Sequence, residues 1–544
     1  MKKRILSMAL AIMLLVTLMA GCGGEPAKPA AGVEVLQDVN VRKALTLAID
    51  RDFICDEINH GTRTPATSYV GDGYADADPT KDFRAVGGDY VSRDYEANKE
   101  AAKQALADAG FPDGEGFPVL EYMYNTSAGH QAIAEAIAHD WETVLGIKVE
   151  LVNQEWAVFL DTRRKGDYQI ARDGWLSDYN DASSLLSLYM SGSGNNNAQY
   201  NSPDFDKAMR EAMQLSGDRA AYIQKLHDAE EILMNDWAAC PIFYYNQNYI
   251  VSKELKDWHE FPLGYTFLHL ASKGDSKDIS AWVGSPPETI DPQMNSAADG
   301  GTYLVHTSQG LYRNSWDGTG PELGDAESVE ASDDGMTLTF TLRDDIKWSD
   351  GKAVTAHDYE YAWKRLVDPE VAAPYAEDMG PFILNGFEIV EGEKSPDELG
   401  VKALDDRTLE VKLADPCPFI EQVLVFTTFY PVRQDIIEEF GESWWQDHFL
   451  SNGPFKVKEF SLDEQLVMVP NENYYDADKI VPDSVTWLFL ADDDIALSAF
   501  RAGEVDLLNS CPPEEIPALK AAGVFDLRPL LGTYYLDFNL NPNV

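Results

Sequence analysis

Basic residues are scarce in this 544-residue chain: 43 lysines and arginines stand against 92 aspartates and glutamates, a formal net charge of −49. Nucleic acid needs a cationic surface to displace its counterions, so it is excluded as a partner. An acidic surface chiefly keeps a protein soluble, and over longer range it favours cationic ligands. Cysteine is rarer still, with five in all. Cys55, Cys240, Cys417 and Cys511 are too scattered to frame a disulfide scaffold or a zinc site, which leaves buried thiols and one incidental bridge as equal alternatives. Catalytic motifs are missing as well: there is no H-E-x-x-H, no G-x-S-x-G elbow, no G-x-x-x-x-G-K phosphate loop and no D-x-[DN]-x-[DN]-G calcium loop. His259-Glu260 lacks the second histidine of a zinc helix, and Asp492-Asp493-Asp494 reads as a solvated turn or helix start. No metal or cofactor is expected, and the chain is not expected to be an enzyme. Because catalytic triads are geometric rather than sequential, a secreted peptidase stays as the alternative from another class.

Long apolar runs are confined to Ile5–Ala20, which is too short to span a bilayer. With Lys2-Lys3-Arg4 before it and Gly21-Cys22 after it, residues 1–21 read as a secretion signal. Leu18-Met19-Ala20-Gly21-Cys22 resembles the lipobox of bacterial lipoproteins, which implies a lipid on Cys22. Residues 22–32, rich in Gly, Pro and Ala, then form a flexible tether. A lipid there holds the protein on the outer face of the cytoplasmic membrane, with the periplasm as the other location.

What remains is long enough for several domains and a sizeable core. Leu120 to Tyr124 alternates like a strand, and a helical stretch from His130 to Leu145 ends at Gly146. Ile147, Val149 and Leu151 alternate again, a helix from Trp156 to Lys165 stops at Gly166, and Tyr168 to Ala171 reads as a third strand. Such βαβαβ units place ligands beyond the carboxyl ends of the strands, which singles out the loop Gly174-Trp175-Leu176-Ser177-Asp178-Tyr179-Asn180-Asp181. The polar, aperiodic run from Ala271 to Asp278 reads as a linker. Beyond it the chain turns strand-rich: Met336 to Leu342 alternates, and Gly400 to Leu413 reads as a hairpin around Asp405-Asp406.

Several segments closely resemble the oligopeptide-binding proteins of ABC peptide importers, the peptide-type family 5 of extracellular solute-binding proteins. They are Asp350-Gly351-Lys352-Ala353-Val354-Thr355-Ala356-His357-Asp358, Asn452-Gly453-Pro454-Phe455, Asn473-Tyr474-Tyr475, Gly400 to Asp406, and Asp38-Val39-Asn40-Val41-Arg42-Lys43-Ala44-Leu45. The order differs from the family's: the segment near Thr289-Ile290-Asp291-Pro292 comes first there, and Tyr534 to Asn539 runs directly into Val41-Arg42-Lys43-Ala44-Leu45. The chain therefore resembles a circularly permuted member, an arrangement that compact proteins with adjacent termini tolerate. The resemblance implies a two-lobed α/β fold of periplasmic-binding-protein type with an extra β-rich insert, closing on a hinge. Its expected parts are an α/β ligand-binding lobe over 33–240, a second lobe over 241–315 and 452–533, the insert over 316–451, and a hinge strand over 534–544. Because that strand ends the chain, it is expected to fray and to be the weak point.

The resemblance also implies the ligand and its contacts. A peptide of varied sequence is held by its backbone while charged groups receive its two ends. Asp178 matches the aspartate that holds the ligand's α-amino group, since a buried ammonium needs a carboxylate partner. Trp175 and Tyr179 flank it as aromatic walls, and Gly174 opens the same loop. Arg172, Arg163 and His130 match positions that meet ligand carboxylates, and arginine's fork suits that task. Asn125 and Trp156 match further lining positions, and Tyr375 belongs to the opposing insert. Leu176 and Gly532 stand where some members carry a disulfide. A monomer that captures oligopeptides and delivers them to the permease subunits of an ABC importer is the expected function. Dipeptides, sugar oligomers and metal chelates are the alternative ligands, because the fold does not fix the ligand.

Overall fold

The βαβαβ repeat folds as its periodicity implies. In the computed structural model, which describes residues 33–541 except 79, 216–217, 285 and 317–319, the repeat begins with strand β1 (Leu120–Asn125). Helix α1 (Ala128–Asp140) follows, capped by the Ser127 hydroxyl, which accepts from the His130 backbone N–H. A wider turn over Trp141–Leu145 then ends at Gly146, whose φ of 70° an L side chain rarely adopts. Strand β2 (Val149–Gln154), helix α2 (Trp156–Lys165) and strand β3 (Ile170–Leu176) complete the unit. The three strands lie parallel in the order β3-β1-β2, so their carboxyl ends share one edge. Trp141 is fully buried under them and donates from its indole to Leu45 O at 2.8 Å. Burying a ring of this size contributes roughly 2–3 kcal/mol. The expected signal, the tether with Cys22 and the last three residues lie outside the described residues.

One eleven-stranded sheet runs through both lobes. Its further strands are β4 (Ala239–Val251), β5 (Asp278–Trp282), β10 (Phe455–Ser461), β11 (Gln465–Pro470), β12 (Ser484–Leu488), β13 (Leu507–Leu508) and β14 (Phe525–Phe538). The order is β10-β11-β12-β5-β13-β4-β14-β3-β1-β2, with Thr64–Pro65 added on β4. Two long antiparallel strands, β4 and β14, carry the sheet from one lobe into the other. Phe525–Pro529 pair with β4 in the second lobe, whereas Thr533–Asp537 pair with it in the first and with β3 on their other side. The register slips between Pro529 and Thr533, where three residues of β14 face one of β4. Such a bulge bends a strand and loosens its ladder, and this one makes the crossing a natural hinge.

Three expectations meet the structure here. The lobe boundary expected at 240–241 lies inside β4, whose residues 239–244 pair with Thr533–Asp537 of β14. The strand expected to fray at the chain end is a central strand, flanked on both sides and buried from Leu531 to Leu540. The linker expected over 271–278 is tied down as well: Ser272–Lys273 pair with Leu255–Lys256, and Lys273 Nζ meets Asp506 at 2.7 Å.

The insert is built on a four-stranded antiparallel sheet of β6 (Ala326–Ala331), β7 (Thr337–Leu342), β8 (Val401–Ala403) and β9 (Thr408–Lys412), in the order β6-β7-β9-β8. Helix α4 (Ala356–Val367) opens with a capping box between Thr355 and Asp358. Within Asp350–Asp358, this box fixes the start of α4, and Asp350 accepts from Arg433 Nη1 at 3.1 Å. In Asn452-Gly453-Pro454-Phe455, the Asn452 amide donates to Asp325 at 2.9 Å and to Gln309 O at 2.8 Å. These segments build the scaffold. Cys55, Cys240, Cys417 and Cys511 are free and buried.

Candidate functional site

The carboxyl end of β1 and the neighbouring first half of β3 carry the first group of side chains. Arg172 on β3 donates from Nε to Asn125 Oδ1 at 2.7 Å, at the end of β1. Its Nη2 lies 3.0 Å from His130 Nε2 on α1, and its guanidinium sits 5.6 Å from the Tyr534 ring. Burial, followed by Arg172, pulls the His130 pKa down to about 4, so the imidazole is neutral near neutral pH. A guanidinium only donates; His130 Nε2 therefore accepts, and Nδ1–H is left to donate to the Tyr534 hydroxyl at 3.3 Å. Three expected site residues thus meet in one network that keeps a permanent positive charge beside the end of β1.

Arg163 stands apart from that network. From the last turn of α2 it pairs with buried Asp173, and Asp537 of β14 lies in the same cluster. Burial, then the charge of Asp173, pushes the Asp537 carboxyl well above its ordinary range, while Arg163 pulls the other way. One guanidinium thus serves two buried carboxyls, and Arg163 is committed inside the lobe. Trp156 opens α2, and its side chain lies outside the described residues.

The segment read as a loop from Gly174 begins as strand. Gly174, Trp175 and Leu176 extend β3 and pair with Tyr534, Thr533 and Gly532 of β14. No local pattern signals this, because the ladder comes from a partner more than 350 residues away. A Cβ at Gly174 would lie 2.5 Å from the Tyr245 hydroxyl, so that side chain would have to shift to admit one. Leu176 faces Gly532 directly across the ladder.

Asp178 follows the strand end. Its backbone N–H donates to the Ser184 hydroxyl at 3.2 Å. Burial, then Asp378 of the insert, pushes its carboxyl up to about 6, against a lowering by the Trp175 side chain. Among the described residues, the groups acting on it are the Asp378 carboxylate, the Trp175 indole and its own backbone N–H, none of them a cation. Asp378 belongs to the short helix α5 (Ala376–Met379), and Tyr375 immediately precedes it. The Tyr375 hydroxyl is raised by burial and then by Asp178, and its ring meets Phe426 edge-on at 4.7 Å. Tyr179 reaches across to the insert, stacking on Phe419 at 4.8 Å and meeting Phe382 edge-on at 6.1 Å. The result is a half-buried anion at the mouth of a cleft between lobe and insert, with an arginine–histidine network further back along β3. Such a site can hold an elongated ligand with a cation at one end and an anion at the other.

Tyr245, Phe382, Phe419 and Asp378 were not singled out from sequence. They carry no motif and reach the cleft only through tertiary packing. Among the described residues no group of three or more His, Cys, Asp or Glu is arranged to hold a metal, and no helix is long and apolar enough to cross a membrane.

Comparison with known proteins gives the family. The profile of the family described as Bacterial extracellular solute-binding proteins, family 5 Middle, matches residues 26–197 and 321–544. The periplasmic oligopeptide-binding protein OppA of Salmonella typhimurium is 40% identical over 206 residues, covering 37% of this chain and 38% of that one. The oligopeptide-binding protein OppA of Bacillus subtilis is 34% identical over 278 residues, covering 49% and 50%. Among solved structures, Haemophilus influenzae OppA in complex with RPPGFSPFR is 32% identical, with a TM-score of 0.44 over 46% of this chain and 49% of that one. The chain thus spans half or less of the length of each of these relatives.

Proposed function

This chain belongs to the bacterial extracellular solute-binding proteins of family 5, and from that premise we propose that it captures oligopeptides between its lobes and delivers them to the permease of an ABC importer. The observation that carries this reading is Asp178, a half-buried carboxyl facing Asp378 of the insert, with no cation among the described groups that act on it. A ligand's α-ammonium is the partner it lacks. At the other end, Arg172 with neutral His130 offers donors to a peptide carboxylate or carbonyl. The backbone between them is held by hydrogen bonds along the cleft, which leaves side-chain sequence free to vary.

Ligand contacts with both lobes favour the closed state, and the bulged crossing of β4 and β14 is where the bend occurs. The protein acts as a monomer, anchored through a lipid on Cys22 to the outer face of the cytoplasmic membrane, and performs no chemistry on its ligand. Tryptophan fluorescence titrated with a pool of tri- to pentapeptides tests the reading. A saturable change with a rise in melting temperature is expected, and the absence of both sinks it.

The chain is also read as a circular permutation of the family order. In support, Gln37 Nε2 donates to Asn539 O at 3.4 Å, so segments 502 positions apart meet at the edge of one lobe. A variant joining residue 541 to residue 37 and opened between 271 and 278 is expected to fold and bind as the original does. Failure to fold counts against this order.

A further inference from the structure

A cavity of about 630 Å3 lies between α3 (Pro203–Met213) of the first lobe and the insert. Met213 forms part of one wall, and Phe382 and Phe419, the rings on which Tyr179 packs, form part of the other. Glu377, Asp378 and Asp415 also line it. Arg210 is the single cation among its described lining residues, and it already faces Asp206 at 3.5 Å. The chamber therefore combines apolar rings with an excess of negative charge, and it adjoins the position proposed for a ligand's amino end.

We propose that this chamber receives the side chain of the ligand's first residue and selects lysine or arginine there, with Asp178 taking the α-ammonium and Asp378 with Glu377 the second charge. This inference rests on the peptide reading above. Three features carry it. The stem of a lysine or arginine is apolar and packs on Phe382, Phe419 and Met213 while its charged head reaches the acidic rim. Asp178 and Asp378 come from opposite sides of the cleft and repel each other in the free protein. A ligand end bearing two positive charges removes that repulsion and draws the insert toward the lobe, so it favours closure more than a singly charged end does. An acidic first residue instead meets three carboxylates, which excludes it by repulsion rather than by shape.

The test is calorimetric titration of the full chain with two tripeptides of equal length, Lys-Ala-Ala and norleucyl-Ala-Ala. Lysine is expected to bind about fivefold more tightly at low salt, and the preference shrinks as salt rises. In the double variant Glu377→Gln, Asp378→Asn the ratio of the two affinities is expected to fall to about one. Equal affinities in the original protein, or a preference that survives the double variant, overturn this inference and leave the peptide reading intact. Binding of neither tripeptide overturns both.

Discussion

Asp178→Asn keeps the shape of the side chain and removes its charge. At pH 7 the carboxyl, which titrates at about 6, is mostly ionised and ready for an ammonium. Losing one charged partner of a partly buried pair costs about 2–3 kcal/mol, roughly 30- to 150-fold in Kd. The pH dependence gives a sharper signature. Below pH 6 the carboxyl must release a proton before it pairs with the ligand, so peptide affinity falls about tenfold between pH 7 and pH 5. The Asn variant is expected to be flat over that window. Asp140 and Asp325 also titrate near there, at about 6 and 7, but both variants share them, so the comparison cancels them. Calorimetry at pH 6 in two buffers of different ionisation enthalpy counts the protons, and about half a proton is released on binding. In the free protein the sign reverses. A carboxyl with a folded pKa above its unfolded one contributes stability below about pH 4, and that stability is lost as pH rises through 6; the Asn variant lacks this fall. Full affinity in the variant, or the same pH slope in both proteins, refutes the role assigned to Asp178.

Other consequences concern the scaffold. Arg163→Met leaves Asp173 and Asp537 buried without their cation, and a loss of about 3 kcal/mol is expected in urea unfolding; an unchanged midpoint with weaker peptide binding moves Arg163 into the ligand site. Gly532→Ala puts a Cβ 2.4 Å from the Trp175 carbonyl oxygen and 2.7 Å from Leu176 Cδ2, so β3 and β14 must part. A cost of about 1–3 kcal/mol is expected, read as a lower melting temperature; no change refutes this register. Hydrogen exchange gives a third check: the amides of Thr533–Phe538 are expected to exchange as slowly as those of Ala239–Phe243, and fast exchange there restores the fraying end.

Periodicity sufficed where an element is held by its own residues. Leu120 to Gly166 alternates and then recurs at helical spacing, and Gly146 and Gly166 terminate helical stretches at a φ of 70°. It failed at Gly174–Leu176, which looks like a loop yet pairs as strand, because the partner that makes it a strand lies at the far end of the chain. The candidate residues divide in the same way. Asn125, His130 and Arg172 were named and do meet, since adjacent strands of one sheet bring them together. Arg163 looks the same in sequence, but a buried aspartate claims it.

Charge, the leader-like start, the alternation of strand and helix, and the set of charged residues near the strand ends were fixed by the order of amino acids alone, because each depends on residue type or on neighbours within a few positions. Which of those charges stay available to a ligand, which strand sits at the centre of the sheet, and the facing of Asp178 by Asp378 were decided only in three dimensions. Hydrogen-bond pairing and the electrostatics of a half-buried cleft act between residues hundreds of positions apart, and no local pattern encodes such neighbours.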